Sequence, residues 1–436
     1  MAGTWVAQNK VRPDFYLNME SEEKALGSIG DRGTTALALS LPWGESKSII
    51  PLVASEDFFS KLGYDITAPS MLLIKEAFKR ARTVLLYRLN SGTKAAVTIG
   101  TLVATAKHGG VRGNNITIKI SANIDDNTKF DVSTLVDNQV IETQTVSGIS
   151  GLVSNAWVVF SGTGTITATA GAPLTGGADG TVTNADHTAF LSALELQPFQ
   201  TVGLVSSDAA LKSVYVSFIK RLREDNGRKV QAVIENYPAA DYEGIISVKN
   251  GVTLTDGTIL SAAQAVAWVA GATAGAAANQ GLTGTAYEEA IDANPRYTDA
   301  QITAALLNGE FVFTYDNGRV VVEQDINTFR SYTPKKRKHF SKNRPLRALD
   351  GLANDWKNAF NAYYKGKVDN DPDGRTLYKS ELVKIAGIYQ DMRAIQNFVA
   401  DDITIVLGDE ADAVLVEGWI QPTDAIEKSY MKVRVR

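Results

Sequence analysis

The 436-residue chain contains no cysteine. That absence excludes disulfide staples, thiolate zinc sites and cysteine nucleophiles together, although it assigns no compartment by itself. Histidine is nearly as scarce: His108, His187 and His339 are the full set of three, too few for a multi-histidine metal centre. Charge is almost balanced, 44 Lys+Arg against 48 Asp+Glu for a net of −4, which argues against a general nucleic-acid coat or a polybasic membrane binder. The opening residues, Met-Ala-Gly-Thr-Trp-Val-Ala-Gln-Asn-Lys, hold no apolar stretch of the kind a secretory signal needs. The most apolar run, near Ala262–Ala278, is mostly alanine and glycine broken by Gln264 and Thr273. A membrane span needs about 20 strongly apolar residues, so no membrane span is expected.

Enzyme signatures are missing too. The chain has no G-x-S-x-G elbow, Walker phosphate loop, H-E-x-x-H or complete G-x-G-x-x-G. Gly162-Thr163-Gly164 opens no helix, and the acidic pairs Asp125-Asp126 and Asp401-Asp402 read as solvated. Asp369-Asn370-Asp371-Pro372-Asp373-Gly374 imitates a calcium loop, but position twelve is Ser380, Glu381 falls one residue late, and Pro372 interrupts the run. It reads as an acidic turn between helices. No catalytic residue, cofactor or metal ligand is expected, and the protein is read as not an enzyme. A hydrolase built on an α/β core around one of the three histidines stands as an alternative.

What is present is ordinary globular material, 44% hydrophobic and 21% charged, with length for about three domains at roughly 150 residues each. Residues 1–20 form an N-terminal arm: Trp5, Phe15, Tyr16, Leu17 and Met19 are apolar, yet Pro13 and intervening polar residues prevent a helix. Residues 21–92 and 187–330 form a discontinuous α/β core. Strands are expected at Thr35–Leu41, Val84–Leu89, Gln200–Val205 and Lys229–Glu235, and helices at Asp57–Leu62, Ser70–Ala81, Asp208–Leu222 and Ser261–Asn279. The small residues of the last helix allow close backbone contact in a core. Asp316-Asn317-Gly318 marks a hairpin. Between Thr93 and Thr183 lie 16 threonines and few charges. That stretch reads as an inserted all-β domain over 93–186, with strands at Ile116–Ile120, Val140–Val146, Trp157–Phe160 and Thr163–Thr169.

Residues 331–422 form an α+β C-terminal domain with amphipathic helices at Leu346–Tyr364 and Leu377–Phe398 and strands at Ile403–Leu407 and Val414–Ile420. Residues 423–436 are a C-terminal arm in which Met431, Val433 and Val435 alternate with Tyr430, Lys432, Arg434 and Arg436, the period of a strand with one apolar face. One run is strongly cationic: from Pro334 to Arg347 there are seven basic residues and no acidic one. A nucleic-acid-associated structural protein using residues 334–347 is therefore an alternative, although Phe340 is the lone aromatic there and base stacking is unsupported.

Several segments resemble the tail sheath proteins of contractile-tailed bacteriophages and phage-like bacteriocins: Trp5 with Gln8-Asn9-Lys10-Val11-Arg12-Pro13 and Phe15-Tyr16-Leu17-Asn18, Gly44 to Leu52, Trp268-Val269-Ala270-Gly271, Ser331 to Arg347, Tyr364-Lys365-Gly366-Lys367, and Asp424-Ala425-Ile426-Glu427-Lys428 with Tyr430-Met431. The resemblance spans nearly the whole chain in order. It implies a structural subunit that polymerises as stacked rings around an inner tail tube and contracts to drive the tube through a cell envelope. It also implies a subtilisin-like core without the protease's active site, made in the bacterial host cytoplasm and located in a virion or phage-like particle tail. The expected partners are the chain itself, the inner tail tube protein, and baseplate and tail terminator proteins, with no direct nucleic acid. Inter-subunit arms are expected at Phe15, Tyr16, Leu17, Met431, Val433 and Val435, receiving strands at Ile403, Ile405, Val414 and Val416, and tube contacts at Lys335, Lys336, Arg337, Lys338, Lys342, Arg344 and Arg347.

Overall fold

A computed structural model describes residues 31–435; the N-terminal arm, with Phe15, Tyr16 and Leu17, lies outside the described residues. The chain first forms β1 (Thr34–Leu39), β2 (Ile49–Val53), α1 (Phe58–Leu62), α2 (Leu72–Phe78) and β3 (Thr83–Arg88). Asp57 caps α1, accepting from the Ser60 amide, and Gly63 ends it at φ +80.

The β-rich region follows as β4 (Ala96–Ile99), β5 (Leu102–Ala106), β6 (Ile116–Ala122), β7 (Phe130–Val136), β8 (Gln139–Val146), β9 (Val158–Gly162) and β10 (Thr169–Pro173). A four-stranded sheet, β10-β6-β7-β8, and a three-stranded sheet, β4-β5-β9, enclose Ile116, Ile118, Ile120, Val132, Leu102, Ala104 and Trp157. Alternation along β6 explains this: its odd partners face water. The strand expected at Thr163–Thr169 begins only at Thr169, because Gly162 and Gly164 take φ of +118 and +105 and break the extension. An antiparallel bridge between Thr93 and Ala178 brings the two ends of this region together.

The chain then continues through α3 (Asn184–Glu195), β11 (Thr201–Leu204), α4 (Ala209–Glu224), β12 (Gln231–Glu235), β13 (Ile245–Val248), β14 (Gly251–Leu254), β15 (Ile259–Leu260), α5 (Ala262–Gly275), β16 (Ala290–Asn294), α6 (Asp299–Leu307), β17 (Glu310–Phe311), β18 (Phe313–Asp316) and β19 (Arg319–Val322). Its centre is a seven-stranded sheet in the order β17-β13-β12-β11-β1-β3-β2, parallel throughout except for the antiparallel edge strand β2. Both faces are buried, as the unbroken apolar runs require. Ala36 and Ala38 of β1 join Phe190 of α3 and Tyr215 of α4 on one side; Leu37 and Leu39 join Ile74 and Ala267 on the other. The expected hairpin around Asn317-Gly318 forms, pairing Asp316 with Arg319.

The C-terminal region holds α7 (Asn343–Ala359), α8 (Pro372–Asp391), β20 (Ile395–Gln396), β21 (Ile403–Leu407), β22 (Val414–Gly418) and β23 (Gln421–Pro422). Two sequence expectations are corrected. The acidic turn between the helices is shorter than expected: residues 369–371 lie between them, but Asp371 caps the next helix, accepting from the Gly374 amide at 2.7 Å, and Pro372 takes the first helical position. That helix ends at Asp391 rather than Phe398, because Arg393 adopts φ +59 and turns the chain into β20.

Candidate functional site

Two helices carry the C-terminal hairpin. Leu352 of α7 and Leu382, Ile385, Ala386 and Tyr389 of α8 recur at helical spacing and bury one face of each against Ile395, Phe398 and Ile403. The Tyr389 hydroxyl donates to Asp355 at 2.7 Å; burial, then the Asp355 charge, push its pKa above the usual phenol range. Beyond Ala359 the helix passes into a π turn, Phe360–Tyr364, so Trp356, Phe360 and Tyr364 follow one another at every fourth residue.

β21 and β22 form an antiparallel two-stranded sheet with Ile405 opposite Val416 and Leu407 opposite Val414. Ile403 is fully buried and Ile405 packs against the helices. Val406, Leu407 and Leu415 are each 53% exposed and Trp419 80%. Among the described residues each strand pairs only with the other, leaving both outer edges open. A two-stranded sheet has little stability of its own, and open edges are templates for another chain. The second strand ends at Gly418, two residues short of the expected Ile420.

The C-terminal arm leaves this sheet and does not return to it. No strand forms among the described residues 424–435, and Met431, Val433 and Val435 are 83%, 74% and 95% exposed. Its root, by contrast, is held firmly. Lys342 reaches Asp424 at 2.5 Å and Glu427 at 2.9 Å. Glu427 also accepts from Thr283 at 2.9 Å and Gln324 at 2.8 Å. Burial would lower the Lys342 pKa, but the bonds to Asp424 and Glu427 outweigh it and raise it.

The basic run is not one surface. Arg347 is buried beside Asp325 at 3.3 Å, which removes it from any external contact. Arg344 donates to the Asn279 carbonyl at 2.8 Å, and Lys336 pairs with Glu243 at 2.5 Å. Lys335, Arg337 and Lys338 are exposed, and Lys336 is half-buried. Sequence reasoning missed the Glu427 anchor and the role of α7 in docking. Asp424 and Glu427, acidic and three apart before a cationic tail, were the available signal for the first. Opposite charges at Arg347 and Asp350 on an apolar helix face signalled the second.

The histidines are structural. His187 lies 3.1 Å from the Tyr215 hydroxyl and is buried. His108 meets the Trp43 ring edge-on at 5.2 Å; burial, then neighbouring cations, lower its pKa to about 4. His339 packs on Phe340 at 4.7 Å. No group of three or more His, Asp or Glu that could hold a metal occurs among the described residues.

A sandwich domain set into a doubly covered α/β sheet, joined to a helical domain with an open hairpin and a projecting chain end, defines a multi-domain structural subunit. Comparison with known proteins gives the family. Four consecutive family models match: the tail sheath protein Gp18 domain III N-terminal region at 32–89, the phage tail sheath protein beta-sandwich domain at 90–179, the phage tail sheath protein central domain at 180–328 and the phage tail sheath C-terminal domain at 335–436. The sheath tail protein of Desulfitobacterium hafniense is 54% identical, covering 97% of this chain and 100% of that one, with a TM-score of 0.87. That of Listeria innocua is 42% identical over 93% and 95% of the two chains, with a TM-score of 0.82. The phage-like element PBSX protein XkdK of Bacillus subtilis is 39% identical over 98% of each. The chain belongs to the phage tail sheath protein family and is a structural, non-catalytic subunit of a contractile tail sheath.

Proposed function

We propose that this subunit polymerises as stacked rings around an inner tail tube and shortens to drive the tube through a cell envelope, with chain ends lent between subunits as strands. The observation that carries this is the mismatch at the C-terminus: an arm with one apolar face exposed, beside a hairpin whose edges are open. Strand addition gives main-chain bonds for affinity and alternate side chains for register. Residues 1–20, with Phe15, Tyr16 and Leu17, act as the second arm. Ile403, Ile405, Val414 and Val416 receive the arms, and lent strands keep rigid bodies linked while their interfaces repack. A subtilisin-like topology for the core agrees with its parallel sheet covered by helices on both faces. Further partners are the tail tube, baseplate and terminator proteins; the subunit is made in the host cytoplasm and ends in the particle tail.

Because Asp424 and Glu427 hold the root of the arm, the informative truncation ends after Lys428. That chain should melt as the full chain does, yet form no sheaths of normal length by electron microscopy. Normal sheaths from the truncated chain would overturn the reading.

Tube contact falls to the exposed part of the basic run, Lys335, Arg337 and Lys338. Replacing all three with Glu should release tubes from sheaths in co-sedimentation, and salt near 1 M, where the Debye length is about 3 Å, should weaken the wild type in the same direction. Unchanged co-sedimentation would return the run to a solvated loop.

A further inference from the structure

We infer that the β22 edge, not the β21 edge, receives the C-terminal arm of a second copy, antiparallel, with Val433 opposite Val416 and Lys432 opposite Glu417. This rests on the lent-strand reading above and adds the edge, direction and register to it.

The hydrogen-bond phase of the hairpin shows what the edge offers. The Gly408 amide donates to the Ala413 carbonyl, and the Trp419 amide to the Asp402 carbonyl, both at 2.9 Å. Antiparallel pairs alternate between bonded and non-bonded, so with the observed register Leu415 and Glu417 bond inward to β21. The amides and carbonyls of Val414, Val416 and Gly418 then point outward. Their side chains lie on the hairpin face that carries Ile403 and Ile405, towards the helices. An added strand that places its own apolar residues on this face must set them opposite these three.

The floor beside β22 is apolar in part. A groove of about 500 Å³ carries Phe360, Tyr364, Val368, Tyr378 and Val414, with Lys365, Arg375, Asp369 and Asp412 also in its lining. Tyr364 and Tyr378 rings lie 4.7 Å apart and Phe360 and Tyr378 rings 5.7 Å apart. At the other end of β22, a Cβ on Gly418 would lie 3.9 Å from the Trp356 ring. The stripe Trp356, Phe360, Tyr364 therefore runs along the open strand and gives Met431, Val433 and Val435 a surface to cover. Gly418, without a side chain, leaves room opposite the longest of them, Met431.

Charge chooses the direction. The loop before β22 carries Asp409, Glu410 and Asp412, and Glu417 lies on the outer face of β22 itself. The arm is cationic on its outer face through Lys432 and Arg434. Antiparallel addition brings the end of the arm to the acidic loop and sets Lys432 beside Glu417. A slip of one residue would turn Met431, Val433 and Val435 outward; a slip of two would lose the Lys432–Glu417 pair. The eight residues 428–435 beyond the Glu427 anchor reach roughly 26 Å when extended, which suits exchange between adjoining subunits.

The cysteine-free chain makes the test direct. Sheaths assembled from Val433→Cys, Val416→Cys protein should form a disulfide-linked ladder on mild oxidation, since the Cα atoms of a directly opposite, hydrogen-bonded pair lie about 5.5 Å apart, within the span of a disulfide. Val433→Cys, Ile405→Cys sheaths should not. A ladder from the second pair alone would overturn the β22 assignment while leaving strand exchange intact. A ladder from Phe15→Cys with Val416→Cys in place of the first pair would give this edge to the N-terminal arm and also overturn it. Normal sheaths with no ladder from any pair would overturn the edge assignment and the lent-strand reading together. Independently of cysteine placement, Glu417→Lys should lower assembly about fivefold, the size of one favourable cross-strand charge pair, and Lys432→Glu should restore it in the double variant. No restoration would overturn the register.

Discussion

Asp350→Ala is expected to destabilise the protein by about 3–5 kcal/mol, the cost of leaving a buried charge without its partner. Asp350 lies on α7 and meets Arg223 of α4 in a fork of two bonds, 2.6 and 2.9 Å. Arg223 is 3% exposed. Burial would lower its pKa, but Asp350 outweighs burial and raises it above the usual guanidinium range. Three residues earlier on the same helix face, Arg347 meets Asp325. These two pairs dock α7 on the α/β region, one through α4 and one through the segment after β19, so loss of one should loosen the docking as well as the helix. The double variant Arg223→Met, Asp350→Leu removes both charges and should recover most of the loss, since apolar replacements of buried pairs are often neutral. Urea unfolding followed by tryptophan fluorescence reads both variants. A double variant as unstable as the single would show that the ion pair is not the cause.

The other large loss is expected from Gly271→Val, about 3 kcal/mol, the upper end of the usual cost of overpacking. By helix propensity alone the substitution should help, because glycine is about 1 kcal/mol worse than alanine in a helix. Packing reverses the sign. A Cβ on Gly271 of α5 would sit 2.3 Å from the Ala77 carbonyl oxygen of α2, and one on Gly275 2.0 Å from that of Arg80. The two helices touch by their backbones, and a valine must force them apart beneath the central sheet. Gly387 of α8 is the control: nothing lies within 4 Å of its added Cβ, so Gly387→Ala should stabilise by roughly 0.5–1 kcal/mol. Thermal melts of both variants should move in opposite directions; equal shifts would refute the contact argument.

The larger organisation was legible in the sequence because burial imposes a period. Val84–Leu89 lacks polar alternation until Arg88, and it contains a strand of the central sheet covered on two faces. The threonine-rich stretch alternates, and its strands form two sheets around one core. A cap was legible where the side chain bonds its own helix, as at Asp208. Asp371 was passed over because the same residues imitate a cation loop: a short acidic, glycine-containing turn suits either role, and only the helix that follows decides.

Site residues were legible in kind but not in partner. Composition alone determined that the chain has no thiol chemistry and too few histidines for a multi-histidine metal centre, and alternation alone gave the tail its apolar face, since a strand's side-chain period is local. Tertiary structure decided which charges are free. Seven basic residues between Lys335 and Arg347 look alike in sequence, yet Arg347 is buried against Asp325, Lys342 anchors the tail through Asp424 and Glu427, and Lys335 and Lys338 stay exposed. An ion pair between residues 82 or 85 positions apart depends on where the fold brings two segments together, and no local pattern records that distance. The open edges of the hairpin are likewise a tertiary property: among the described residues no other strand pairs with them.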